Sequence, residues 1–451
     1  LWQNNDANSE QTRHSMKCKM FWGWLMISLA TVAMAQTPPQ DSLTLEQVVR
    51  QVLENNPLIE QSLHKIDAAN AQIELSNSAN YPFAAAEASY SRIGPLIELT
   101  IPDAGTFSLF PANNYDAHIA AQYALYDFGK RKTEHELAQN GLFSAQQNAQ
   151  TVRNMLAYRT VNLFYSILYL QQNIRVLDQE IAALREHLDV AQKRAQTGSA
   201  TSFDVLTTRV RVSNSENQKV DVENILQKQW VLLQSLMGID STQKIYLKGD
   251  FVYENAELVD DRQALLQQAM NQRQEMKLAE NSVRHYEIAM HLASFGNKPK
   301  LMANGMFGVK NGYIPDLNKP KLNWVAGIGL NVPLFDGFAT HYKEQEAQAS
   351  LAAAEAYREE VRRQISAEVS QAIEDVLTQQ KKLDAADLQL EQASEAVSLA
   401  NKQYEAGVVT NLELLDAHTA QAQSRLQKSR VLYNLVLSEF RLEQTVGKKS
   451  W

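Results

Sequence analysis

The chain has 451 residues, with 43 Lys and Arg against 51 Asp and Glu, 45% hydrophobic and 21% charged residues, 17 Gly, 11 Pro and one Cys. Ordinary apolar content and a single cysteine exclude disordered, collagen-like and disulfide-framed chains, and a net charge of −8 argues against a nucleic-acid partner. Such a length suggests about three domains at ~150 residues each, yet no Gly or Pro lies between Gly141 and Gly198 or between Gly337 and Gly407. Compact domains turn more often than that.

At the N-terminus, Lys17 and Lys19 precede an apolar run over residues 21–33, and Ala33-Met34-Ala35 has the small-x-small form that signal peptidase cuts. Residues 1–35 read as a signal-peptide region starting at Met16, with Gln36 as the first mature residue. The run is shorter than the ~20 apolar residues of a membrane-spanning helix. Cys18 lies ahead of the run, so it is not the lipidated cysteine of a lipoprotein. No later segment is long and apolar enough for a membrane helix, so membrane contact has to use strands.

The remaining elements repeat in the order helix, strand, loop, strand, long helix, turn, helix. Residues 36–240 form the first copy, 241–271 an insert at the equator with a β-like stretch at 244–248, and 272–451 the second copy. Leu125-Tyr126-Asp127-Phe128-Gly129 and Leu334-Phe335-Asp336-Gly337-Phe338 stand 209 positions apart, as do Gly198 and Gly407, Thr201 and Thr410, Asp204 and Glu413, and Gly238 and Gly447. Several matches at one offset mark an internal repeat. An earlier offset of 217 links Pro82 to Pro299, and the difference is absorbed by a longer loop near residues 95–113 of the first copy.

Apolar residues alternate at Tyr115, Ala117, Ile119, Ala121, Tyr123 and Leu125, and again at Leu322, Trp324, Ala326, Ile328, Leu330 and Val332. Residues 301–309 follow the same period of two, and residues 81–94 follow it weakly. Each run suits the ~9 to 11 residues of a membrane strand. A closed membrane barrel needs at least ~8 strands, so four strands that meet lipid force the chain to assemble with copies of itself.

The stretches 130–196 and 339–405 read as single helices. Ile174, Leu177, Ile181, Leu184, Leu188, Ala191 and Ala195 step by three and four. In the second stretch Val369, Val376, Leu383, Leu390, Val397 and Tyr404 recur every seven, with Ala372, Ala386, Ala393 and Ala400 three positions on. A seven-residue repeat predicts left-handed coiling, and both seams run toward Gly198 and Gly407, which places those turns together at one end.

Beyond the second turn, Glu413 and Asp416 share a helix face by their spacing, which alone describes an ordinary solvated face. Other motifs fall away. His285 and His291 are wrongly spaced for a two-His zinc site, and Gly327-Ile328-Gly329 lacks the third glycine of a dinucleotide loop. No phosphate loop is present, so no cofactor and no catalysis are expected, and transport energy has to come from a partner.

Taken together, these residues resemble the TolC-like outer-membrane efflux ducts. The resemblance covers nearly all of the mature chain, from Leu43-Thr44-Leu45-Glu46 and Asn55-Asn56-Pro57 to Val446-Gly447. Its most specific parts are the two strand-to-helix joints and the run from Tyr404 through Gly407, Thr410 and Glu413 to Ala417. It implies an α+β membrane protein: a homotrimer whose four strands per chain close a 12-stranded β-barrel in outer-membrane lipid, continued by a long α-helical barrel with a coiled-coil tip. It also implies docking to a periplasmic adaptor (membrane fusion) protein and an inner-membrane pump.

As residue roles, the resemblance implies a pore constriction at Glu413 and Asp416, where three chains bring six carboxylates together. Crowding is then expected to raise their pKa values and favour cations. It further implies a tip latch joining Tyr404 to Asp204, and adaptor contacts at Thr197, Gly198, Ser199 and Ala200 and at Ala406, Gly407, Val408 and Val409. A basic residue that some members carry two places after the second glycine is Val409 here. The expected function is a passive exit duct for efflux or type I secretion; a structural periplasmic coiled-coil oligomer is the alternative that the residues alone leave open.

Overall fold

The computed structural model describes residues 42–103, 105–251 and 261–448. The expected signal-peptide region lies outside them. After a two-residue strand β1 (Ser42–Leu43), helices α1 (Leu45–Asn55) and α2 (Pro57–Ser78) lead to strand β2 (Phe83–Arg92). The long loop of the first copy contains a small hairpin, β3 (Glu98–Ile101) and β4 (Gly105–Ser108), before strand β5 (Asn113–Tyr126). Helices α3 (Lys130–Gln196) and α4 (Ser202–Met237) complete that copy.

Strand β6 (Tyr246–Leu247) pairs in parallel with β1, tying the insert to the start of the described chain. The second copy runs through α5 (Arg262–Gln272), α6 (Gln274–Ala293), β7 (Lys300–Lys310), β8 (Lys321–Asn331), α7 (Ala339–Glu405) and α8 (Asn411–Thr445). Helix α5 stands opposite α1 in the repeat, so the symmetry reaches back to Arg262 and not only to residue 272. Arg273-Gln274 separates α5 from α6 where Asn56-Pro57 separates α1 from α2.

Helices α3 and α7 are unbroken and 67 residues long each, about 100 Å at 1.5 Å per residue. Each begins at a joint built around an aspartate. The Asp127 carboxylate accepts hydrogen bonds from the Gly129 and Arg131 N–H groups and from the Arg131 guanidinium. Asp336 accepts from the Thr340 N–H at 2.8 Å and the Thr340 hydroxyl at 2.6 Å. Both bind first-turn donors that a helix cannot satisfy internally.

α3 packs against α4 on one side and α8 on the other, and α8 packs on α7, leaving α4 and α7 as the edges of this helical layer. Its seam is the predicted one: Leu177, Ile181, Leu184 and Ala191 of α3 are buried, as are Val369, Ala372, Val376, Ala386 and Val397 of α7. Two larger apolar clusters lie farther from the turns. One joins α3, α4 and α1 around Phe164, Leu156 and Leu233, and the other joins α5, α6, α7 and α8 around Ile365, Ile373 and Leu435. An ion pair from Arg273 to Glu368 fastens the α5–α6 corner to α7.

Strands β2, β5, β7 and β8 form one antiparallel sheet in that order, so the two copies meet at the β5–β7 ladder. Register sorts the side chains into two unlike faces. Ala86, Ile119, Phe307 and Trp324 form one row across the four strands, and Ala88, Ala117, Val309 and Leu322 form the next. The opposite face carries Glu87, Asp116, His118, Gln122, Asn304 and Lys310. The apolar face is uncovered in the single chain: Ile119 is 58%, Phe307 56% and Trp324 71% accessible. A water-soluble sheet buries such a face.

Candidate functional site: the open sheet and the helical tip

Two regions define what the chain can do. In the first, β2 and β8 are the sheet's edges, with backbone groups that no described strand pairs. Four strands with an apolar outer face cannot stand alone in lipid, because unpaired N–H and C=O groups there cost several kcal/mol each, on the order of a hydrogen bond lost to vacuum. No described helix is long and apolar enough to cross a membrane.

The second region is the tip. Both long helices end in the same way: Gly198 and Gly407 each adopt a φ of 75°, which lets the Ser199 N–H reach the Arg194 carbonyl and the Val408 N–H reach the Gln403 carbonyl, both at 2.8 Å. This is a left-handed helix stop of the Schellman kind. No atom approaches a Cβ built on either glycine, so the backbone angle and not crowding demands them. Thr197, Gly198, Ser199, Ala406, Gly407 and Val408 are exposed, while Ala200 and Val409 are half-buried. Near these turns the ends of the two long helices adjoin, with Arg194 reaching the Tyr404 carbonyl.

The next helices start with matching capping boxes. The Asp204 carboxylate accepts from the Thr201 N–H at 2.9 Å and hydroxyl at 2.7 Å, and the Glu413 carboxylate accepts from the Thr410 N–H at 2.6 Å and hydroxyl at 2.9 Å. Each threonine caps the helix in return. The Thr410 N–H and hydroxyl hold the Glu413 carboxyl below the usual glutamate range. Within one chain its shift therefore runs opposite to the rise expected from crowded carboxylates. Asp416 turns to the Arg211 guanidinium of α4 at 2.8 Å. Neither acidic side chain is unpaired, and Arg211 brings a compensating positive charge.

Tyr404 and Asp204 do not bond to one another in the single chain. The Tyr404 ring is buried under the Arg194 guanidinium, 4.6 Å from its centroid, and stands edge-on to His187 at 5.2 Å. Arg194 also donates to the Tyr404 carbonyl. The contact that joins the hairpins is one that sequence reading missed. His187 Nε2 lies 2.6 Å from Asn411 Oδ1, and Asn411 Nδ2 donates to the Asp204 carbonyl and the Thr208 hydroxyl, both at 3.3 Å. Beneath it Leu184, Val212 and Leu415 form a small apolar floor from three helices.

An apolar-faced sheet with open edges, hung with helical hairpins of this length, is the architecture of a membrane-channel protein. Residues 48–239 and 265–448 match the outer membrane efflux protein family, and the chain belongs to it. The family consists of channel proteins, and the chain is an outer-membrane protein that extends into the periplasm. Protein CyaE of Bordetella pertussis is 23% identical over 397 residues, covering 87% of this chain and 81% of the relative. Alkaline protease secretion protein AprF of Pseudomonas aeruginosa is 22% identical, covering 88% and 82%. Among solved structures, the outer membrane protein VceC of Vibrio cholerae superposes with a TM-score of 0.76 at 16% identity, over 90% of this chain and 96% of that one.

Proposed function

We propose that three copies of this chain close a single barrel, β8 of each pairing with β2 of the next, and serve as the passive exit duct of a tripartite efflux or type I secretion assembly. The observation that carries this is the two-faced open sheet. Its apolar exterior fits lipid, its polar face fits a water-filled lumen, and its edges find partners only in further copies. A purely structural periplasmic oligomer has no use for a lipid-facing exterior. The helical layer is likewise open at α4 and α7, and closure by copies continues the lumen through the periplasm.

In this reading the exposed turns at 197–200 and 406–409 meet a periplasmic adaptor, which couples the duct to an inner-membrane pump. Glu413 and Asp416 face the constriction, Glu413 as a capping carboxylate and Asp416 beside Arg211. Tyr404 and Asp204 belong to the latch through their neighbours: Tyr404 by its ring and carbonyl, Asp204 by its carbonyl. Single-channel recording of the reconstituted trimer tests the constriction. Glu413→Ala with Asp416→Ala is expected to raise conductance and reduce cation preference, and unchanged values of both refute the assignment.

A further inference from the structure

We propose that the groove floored by α3 between α4 and α8 is a binding site for planar aromatic anions, and that it opens to the lumen as a station for exported molecules. The proposal rests on the duct reading and adds to it a ligand class and the place where the ligand is held. The groove encloses about 620 Å³, within the ~300–1,000 Å³ of small-molecule sites. Ser166, Tyr169, Asn173 and Leu177 of α3 step by three and four along its floor. Val222 of α4 and Leu426 of α8 give it apolar walls.

Three features choose the ligand. The half-buried rings of Tyr169 and Tyr433 stack across the α3–α8 seam, 4.8 Å apart and 15° from parallel, which offers a flat surface to another ring. Arg430 is exposed and is the one charged side chain in the lining, and among the described residues no ion pair engages it. In a chain of net charge −8, a groove with one cation and no carboxylate favours an anion, and the guanidinium fork matches a carboxylate. The third feature is Asn173, which is 7% exposed and whose Oδ1 has no hydrogen-bond partner among the described residues. A buried polar group with nothing to bond is one that a ligand can complete, here with a hydroxyl or N–H beside the ring.

Position on the helices gives the direction in which the groove opens. Gly249 of the insert lies against Phe164 and Leu168 of α3, so close that a Cβ there would stand 3.1 Å from each. A second cavity, of about 450 Å³, lies on that side, between residues 249–251 and Leu168, Arg425 and Lys428. Asn173 is five residues on from Leu168, and Arg430 and Tyr433 are five residues on from Arg425 and Lys428. Five residues are about 140° round a helix, and the same step on both helices puts the two cavities on opposite faces of the helical layer. Three inserts turned inward would fill the passage that the duct reading requires. The insert therefore takes the outer face and the Tyr169–Tyr433 groove the inner one.

The test uses the full-length protein in detergent and a fluorescent hydroxynaphthoate whose hydroxyl sits on the ring that does not carry the carboxylate. Each variant is first shown to keep the heat-sensitive mobility of the trimer, and empty micelles set the baseline. The wild type is expected to bind the probe saturably. Arg430→Gln is expected to weaken binding about tenfold, the size of a lost charge-assisted hydrogen bond, and Tyr433→Leu about fivefold. Asn173→Leu removes the unsatisfied amide at nearly constant volume. It is expected to weaken the hydroxynaphthoate and leave plain naphthoate unchanged, whereas a merely structural Asn173 affects both alike. Lumenal placement is read in planar bilayers: the described residues contain no cysteine, so Gln427→Cys gives the rim a unique thiol among them. A bulky thiosulfonate reagent, its attachment confirmed by mass, is expected to lower conductance.

No saturable binding to the wild type, or equal affinity in wild type, Arg430→Gln and Tyr433→Leu, overturns the site. Asn173→Leu that weakens both ligands alike, or neither, overturns the role of Asn173. A rim that cannot be labelled, or a labelled rim with unchanged conductance, overturns the lumenal placement. A wild type that binds the probe but forms no channel refutes the duct reading and leaves the site standing, so the two failures are distinct.

Discussion

Placing a cation on the apolar face of the sheet is the sharpest test of which side meets lipid. Ile119 stands mid-strand in the 14-residue β5, flanked by Ala86 and Phe307 in a row of apolar side chains. Arginine near the midplane of a lipid-facing strand costs about 2–4 kcal/mol, and a trimer repeats that cost three times, about 6–12 kcal/mol in all. Even the lower figure for one chain is roughly a thirtyfold shift in the folding equilibrium. Gln122→Arg, three residues along the same strand on the polar face, is the matched control and is expected to change stability little. The assay is denaturant titration of protein folded into phospholipid vesicles, read together with the heat-sensitive mobility of the trimer in gels. Equal losses from the two arginines, or no loss from Ile119→Arg, refute the sidedness derived from the strand register.

Leu415 is fully buried between Leu184 and Val212, so Leu415→Ala is expected to cost about 2–5 kcal/mol and lower the melting temperature measured by circular dichroism. Thr410→Ala removes the cap of α8 at a cost of about 1 kcal/mol, read as faster hydrogen exchange at residues 411–414. Because the Glu413 carboxyl is held below its usual range, its contribution to that cap is present above the ordinary glutamate pKa and is lost as pH falls through its own lower value. Protection of the Thr410 amide is therefore expected to persist into mild acid and to fade only below the usual carboxylate range, an acid loss that Glu413→Gln shifts or abolishes. Replacing Asp127 with Ala is expected to fray the start of α3, raising exchange over residues 129–133 while leaving the tip unaffected.

The long-range architecture was legible because it is written in spacing. The unbroken helices 130–196 and 339–405 follow from the want of Gly and Pro and from the glycines that stop them, and the strands follow from alternation that the register then aligns into a single apolar face. The hairpin at 98–108 was not legible, since Glu98, Leu99 and Thr100 carry no distinct period beside the loop around them. Capping is written openly in Thr201-Ser202-Phe203-Asp204 and Thr410-Asn411-Leu412-Glu413, where each threonine and the acidic residue three places on bind one another's backbone. The His187–Asn411 contact spans 224 positions in sequence. Neither residue belongs to a motif, and Asn411 occupies the repeat position held by Ser202 in the other half, so only the folded chain brings the pair together.

The equal length of α3 and α7 carries a consequence for how such a chain can change. A residue added to one rod alone displaces its turn by about 1.5 Å and rotates everything beyond it by about 100°, which carries Asn411 out of reach of His187 or swings Arg211 away from Asp416. Any lengthening or shortening of the periplasmic reach must therefore occur in both halves of the gene together. The tip acts as a vernier that registers whether the two halves still agree.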